Sequence, residues 1–201
     1  MSTTIQKLVI ASGNAGKLRE IRHLLEPLGI EVLPQSALSI PEVEEPYCTF
    51  LENALAKARH ASKSSGLPTL ADDSGICVNA LSGRPGVYSA RYAGEPRSDD
   101  RNNKKLVDIL RDQTDRRAHY YCVMVLVRHA DDPQPILADG VWHGEIILEP
   151  RGEGGFGYDP YFFLPHLDKT AAELPMEQKN RISHRGKALM RLVESIREEI
   201  I

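Results

Sequence analysis

Two adjacent carboxylates, Asp72 and Asp73, interrupt an apolar run in "TLADDSGIC". Thr69, Leu70 and Ala71 before them, and Ile76, Cys77 and Val78 after, read as two short buried strands joined through Asp72–Gly75. With Glu44 and Glu45 upstream, the acids form a set of hard oxygen donors. Such a set suits Mg2+, which takes one or two carboxylates and leaves its other positions to phosphate oxygens and water. A carboxylate at a strand end can equally accept a proton from an attacking water. Two further readings stand beside these: an Asx turn between strands, or a glycosidase pair, which only the carboxyl separation would identify.

Four other stretches carry residue types that do chemistry. In "ASGNAGKLREI" a strand runs into a helix through Ser12, Gly13, Asn14, Ala15, Gly16 and Lys17. A helix start offers backbone N–H groups and the positive end of a dipole, and Lys17 adds a point charge, so a phosphate cradle and an ordinary turn capped by Asn14 both fit. It is not a Walker A loop, because only two residues separate the glycines and Leu18 follows the lysine. On the next helix Asn53 and Lys57 share a face with Glu52 one step round, which most simply makes a solvated side. In "GGFGYDPYF" Phe156 and Tyr158 flank Gly157 with Asp159 behind, a stacking platform for a flat base or a tight turn whose rings are core. In "KNRISHRGKAL" a cap at Ser183 puts His184 and Arg185 in a helix first turn, where basic residues oppose the dipole.

The elements that must hold these groups follow from periodicity. Lys7–Ala11 and Ile30–Leu33 read as strands, with a helix between them whose apolar positions are Leu18, Ile21, Leu24, Leu25 and Leu28. Pro34–Pro46 is a loop. A helix over Thr49–Ser65 carries Phe50, Leu51, Ala54, Leu55, Ala58 and Ala61 on its apolar side and closes at Gly66-Leu67-Pro68. Ser98 caps a helix with Asp99 and Asp100 in its first turn and Leu106, Ile109 and Leu110 inward. Ala118–His129 and Ile136–Leu148 read as long strands joined at Asp131-Asp132-Pro133, and Gly140 and Gly144 suit bulges. A final helix from Ser183 turns Ala188, Leu189, Leu192, Val193 and Ile196 inward. Early alternation of strand and helix followed by a long hairpin predicts an α/β fold with a mixed sheet.

Composition bounds the function classes. The 201 residues are 41% hydrophobic and 26% charged, enough for a folded core in one domain or a compact pair of lobes. A net charge of −3 excludes a global basic footprint for nucleic acid but allows a local basic cluster for a small anion. Cys48, Cys77 and Cys122 form no CxxC pair, so reduced thiols are expected rather than a zinc site or a disulfide framework. The apolar run near the N-terminus is too short for a secretory leader, and Tyr120–Val127 is far shorter than a membrane span. A cytoplasmic protein without membrane or nucleic-acid partners is expected.

The segments "SGNAGKLREI", "TFLENALAKA", "ADDSGICVNALSGRPGVYSARYAG", "GGFGYDPYF" and "ISHRGKAL", in that order, resemble the signature segments of the inosine/xanthosine triphosphate pyrophosphatase family. The resemblance spans nearly the whole chain. It implies a two-lobed α/β fold, a long mixed sheet flanked by helices, a substrate cleft between the lobes and a homodimer. It implies Mg2+-dependent hydrolysis of ITP, dITP and XTP to the monophosphate and pyrophosphate. Ser12–Lys17 would hold the triphosphate, Asp73 would be the base or water activator, and Glu45 with Asp73 would hold Mg2+. Glu44 and Asp72 are the weaker metal candidates. Lys57, with Glu52 and Asn53, would line the phosphate side. Ser74, Phe156, Gly157, Tyr158, Asp159, Lys179, His184 and Arg185 would surround the nucleoside, with Arg185 on the base O6. A pyrophosphatase for modified pyrimidines, or a nucleotide-sensing module without turnover, would use the same phosphate parts.

Overall fold

Capping residues and glycines set the helix limits. The computed structural model describes residues 5–200, and the side chains of Leu24 and Leu28 lie outside the described residues. After β1 (Lys7–Ile10), Asn14 caps α1 (Ala15–Leu25), and Gly29 ends that turn of chain at φ 73° before β2 (Glu31–Pro34). Thr49 caps α2 (Phe50–Ser65) by accepting the Glu52 N–H, and Gly66 closes it in the left-handed region with its N–H on the Ser62 carbonyl. β3 (Thr69–Val78) follows. Ser98 caps α3 (Asp99–Leu110). The hairpin strands are β4 (Arg117–Val127) and β5 (Ile136–Ile146). Short strands β6 (Phe162–Leu164) and β7 (Lys169–Thr170) precede α4 (Met176–Ile182) and α5 (His184–Ile200).

The seven strands form one sheet in the order β2-β1-β3-β4-β5-β6-β7. β1 runs parallel to β2 and β3, with Val9 opposite Thr69 and Ile10 opposite Leu70, whereas β6 is antiparallel to β5 and β7. The expected mixed α/β sheet is therefore present. Residues divide into two compact units: the chain up to Asp73 with Cys122–Gly140 and the stretch from Arg185, and Ser74–Tyr121 with Val141–His184. The first unit packs Leu8, Ile10, Ile21, Leu70, Met124 and Leu126 with Leu189, Leu192 and Ile196 of α5. The second packs Ile76, Leu106, Leu110, Tyr120, Trp142, Tyr158 and Phe162.

Four expectations are corrected. The acids do not sit in a turn: β3 is one continuous strand through Asp72 and Asp73. On α2 the buried face is Asn53, Ala54, Ala58, Ala61 and Ser62, while Leu51 is exposed. On α3 Ile109 is exposed and Val107 is buried instead. The separate helix α4, preceding α5, was not expected. Gly144 has a packing reason to be glycine, because a Cβ there would lie 2.5 Å from the Phe163 carbonyl and 2.7 Å from the Phe162 ring.

The hairpin turn is fixed by Asp132, which is fully buried. Its carboxylate accepts from the Arg128 backbone N–H and Nε (both 2.9 Å), from Arg128 Nη2 (2.8 Å) and from the Gln134 N–H (3.0 Å). The Arg128 hydrogen bonds hold its pKa well below the ordinary aspartate value of 3.8. A depressed carboxylate contributes stability above 3.8 and loses it as the pH falls through the folded-state value. Asp132→Ala is therefore expected to cost about 1–3 kcal/mol at neutral pH. Urea unfolding at neutral and acidic pH checks this: the gap between wild type and variant should shrink in acid, and an unchanged gap would exclude the ion pair as its source.

Candidate active site

Along a strand, successive side chains point to opposite faces, so adjacent aspartates on β3 reach toward different neighbours. Asp72 and Asp73 are nonetheless both buried, at 1% and 6% exposure. Each carboxylate needs its own cation, and the first unit supplies one on each side. Asp72 Oδ2 meets Lys17 Nζ from α1 at 2.9 Å and Arg185 Nε from α5 at 3.5 Å. Arg185 also bonds Glu20 through Nη1, one helical turn on from Lys17. Asp73 Oδ1 meets Lys57 Nζ at 3.3 Å, and Lys57 Nζ bonds Glu45 Oε1 at 2.6 Å.

Asn53 explains how the loop carrying Glu45 is held. Its Nδ2 donates to Asp73 Oδ2 (3.3 Å) and to the Tyr47 carbonyl (3.2 Å), and its Oδ1 accepts the Tyr47 N–H (3.1 Å). Of the solvated helix side expected for Glu52, Asn53 and Lys57, only Glu52 is exposed; Asn53 is buried and Lys57 half-buried, both directed at the acids. Glu44, by contrast, is exposed.

The environments drive the two aspartates apart. Burial raises the pKa of Asp72, but the charges of Lys17, Arg185 and Lys57 outweigh it and hold the carboxyl well below the usual range. Burial also raises Asp73, and with Glu45 and Asp72 nearby it overcomes Lys57 and Lys17, leaving the net shift upward. Burial lowers Lys57, yet Asp73, Glu45 and Asp72 more than compensate, so the ammonium form is favoured. Asp72 is therefore a fixed anion, and Asp73 is a carboxylate with raised proton affinity. Divergent values in neighbouring acids are the pattern of divided roles.

The turn after β1 departs from a simple anion cradle. Asn14 Oδ1 accepts the N–H groups of Gly16 (2.9 Å) and Lys17 (3.1 Å), so two donors of the helix start serve the cap. Ser12 Oγ accepts the Asn14 N–H at 3.2 Å. A Cβ at Gly13 would collide with Glu42 Oε1, so the tip of the Glu42 side chain lies over this backbone.

In the second unit the glycine-rich turn is locked by its own residues. Asp159 is 3% exposed, and its Oδ2 accepts from Phe156 N and Lys179 Nζ, both at 2.8 Å. Lys179 Nζ also lies 4.9 Å from the centre of the Phe156 ring. Two of the expected nucleoside residues belong to the core: Tyr158 is buried with its hydroxyl on the Ser89 carbonyl, and His184 stacks on Tyr120 at 4.6 Å. Phe156 is half-buried, as are Gly157 and Ser74. Arg185, expected to meet a base, gives two of its donor nitrogens to Asp72 and Glu20. The arginine's commitment was not legible in the sequence, where Glu20, Asp72 and Arg185 lie far apart.

Glu45 and Asp73 point one oxygen each at the same cation, so two hard donors already converge. Among the described residues no group of three or more His, Cys, Asp or Glu side chains converges. That donor set fits Mg2+, which needs only one or two carboxylates when phosphate oxygens complete its shell. Removing the other acid has a different consequence. Asp72→Ala takes from half-buried Lys17 its 2.9 Å partner and leaves buried Arg185 with Glu20, and is expected to cost about 3–5 kcal/mol in chemical denaturation. A loss under about 1 kcal/mol, the range of a solvated pair, would show that this pair is not desolvated.

Residues 8–195 match the Ham1 family model. The chain is 69% identical over 194 residues to a dITP/XTP pyrophosphatase of Nitrosomonas europaea, covering 96% of both chains. It is 63% identical to one of Ralstonia nicotianae, covering 96% of this chain and 98% of the relative. Among solved structures it is similar to a HAM1 protein from Coxiella burnetii, with a TM-score of 0.90 at 48% identity, covering 96% and 98% of the two chains. In addition, no helix among the described residues is long and apolar enough to cross a membrane. With a family model over most of its length and relatives this similar end to end, the chain belongs to the Ham1 family.

Proposed function

We propose that this protein hydrolyses the triphosphates of deaminated purines, ITP, dITP and XTP, to the nucleoside monophosphate and pyrophosphate. The observation that carries the reading is the group built on β3: buried Asp73, with its oxygens on Lys57 and Asn53, beside buried Asp72, held by Lys17 and Arg185. Relatives at 69% and 63% identity carry the name dITP/XTP pyrophosphatase, which supports the substrate class.

In this reading the phosphates lie over the Ser12–Lys17 turn, and Lys17 and Lys57 bring positive charge to them. Glu42, close over Gly13, yields its place to the triphosphate. Asp73 takes a proton from a water as that water's oxygen bonds to the α-phosphorus. The bond from the α-phosphorus to the bridging oxygen breaks, and pyrophosphate leaves with the electron pair. Glu45 and Asp73 would hold Mg2+, which when bound neutralises charge on the phosphate oxygens. Most of the acceleration then comes from positioning and fixed charge. Phe156, Gly157 and Lys179 are assigned to the nucleoside, with Phe156 as the stacking ring. Ser74, Tyr158, Asp159 and His184 shape or hold that part, and Arg185 acts from its ion pairs. A cytoplasmic homodimer completes the proposal.

Pyrophosphate release from ITP, dITP, XTP, ATP, GTP and pyrimidine triphosphates, with and without Mg2+, checks the substrate class. The deaminated purines should be hydrolysed fastest and only with the metal; release from none of them would sink the reading. Asp73→Asn should lower kcat by about 10²–10⁴ while nucleotide still binds, as expected for removal of a general base. A variant with near wild-type kcat would remove Asp73 from that role.

A further inference from the structure

The two acids that open α3 look alike in sequence, since acidic residues in a first turn complement the helix dipole. The fold gives one of them a second task. Asp99 Oδ2 accepts the Gly157 N–H at 2.7 Å. One helical turn on, Asn103 Nδ2 donates to the Gly157 carbonyl at 2.9 Å. The two side chains, four positions apart on one helix face, therefore hold both backbone polar groups of a single residue. Gly157 stands at φ 63°, in the left-handed region, and glycine left to itself samples either sign of φ. Asp159 ties the preceding N–H, that of Phe156, so the backbone is fixed on both sides of the Phe156–Gly157 peptide. The helix supplying the clamp is anchored by Leu106 and Leu110 in the second unit's core, and Asn103 is 6% exposed.

We propose that Asp99 is a positioning residue: through Gly157 it sets the place of the Phe156 ring, and with it the stacking of the base. The inference rests on the nucleoside role given above to Phe156. A ring displaced by an ångström loses much of its alignment with a flat base, and losing such a stack costs roughly tenfold to a hundredfold in affinity.

Two measurements on Asp99→Ala and Asp99→Asn test it. In amide hydrogen exchange, the Gly157 N–H should lose protection in Asp99→Ala and regain most of it in Asp99→Asn, which keeps an acceptor oxygen; unchanged exchange in the alanine variant overturns the clamp. In kinetics with ITP, Asp99→Ala should raise KM about tenfold or more with a smaller change in kcat, and Asp99→Asn should restore it. Against a Phe156→Ala background, Asp99→Ala should add almost nothing, because the two act through one ring. Lost protection with unchanged KM, or a full effect that persists without the Phe156 ring, overturns the positioning role. If wild type releases no pyrophosphate from ITP, or Phe156→Ala leaves KM unchanged, the nucleoside reading fails and the positioning role fails with it, while the exchange result still decides the clamp.

Discussion

Burying two neighbouring carboxylates on one strand is the constraint around which the first unit is arranged. An unpaired buried charge is prohibitively expensive, and strand geometry sends adjacent side chains to opposite faces. Lys17 with Arg185 answers Asp72, and Lys57 answers Asp73. Three helices, α1, α2 and α5, are thereby tied to β3 by charge, and α1 and α5 share an apolar cluster with it as well.

That arrangement makes the two acids chemically different. Asp72 has two cations close by and stays ionised. Asp73 shares its lysine with Glu45 and lies beside another anion, so burial dominates and its proton affinity rises. The same amino acid, one residue along, becomes a structural anchor in one place and a candidate base in the other. Asn53 connects this to the loop, since one amide group touches both Asp73 and the Tyr47 backbone. An asparagine facing inward from a helix's first turn would otherwise be a costly choice.

The second unit solves a different problem. Its glycine-rich turn needs left-handed backbone at Gly155 and Gly157, which side chains from elsewhere must hold. Asp159 closes the turn on itself and onto Lys179, and α3 reaches across to Gly157. Tyr158 points the other way, into the aromatic core with Trp142 and Phe162. Of two rings that looked equivalent in "GFGYDP", one is core and the other is half-buried at the turn.

The sequence alone determined the fold class and most of the element limits, because these depend on local signals: caps at Asn14 and Ser98, the closing glycines Gly29 and Gly66, and the apolar period of α5; the ordered signature segments determined the family. It also named the reactive groups, since unusual residue types in an apolar run are visible one-dimensionally. Tertiary structure alone decided which of them are partners. Asn53 and Lys57 read as a solvated side, and Arg185 as a base reader, because a helix pattern does not say which charge lies opposite it. Asp72 and Asp73 read as a turn because two charges in a continuous buried strand are unfavourable until distant cations arrive. Those cations come from residues 17, 57 and 185, and only the folded chain brings such separated positions within hydrogen-bonding distance.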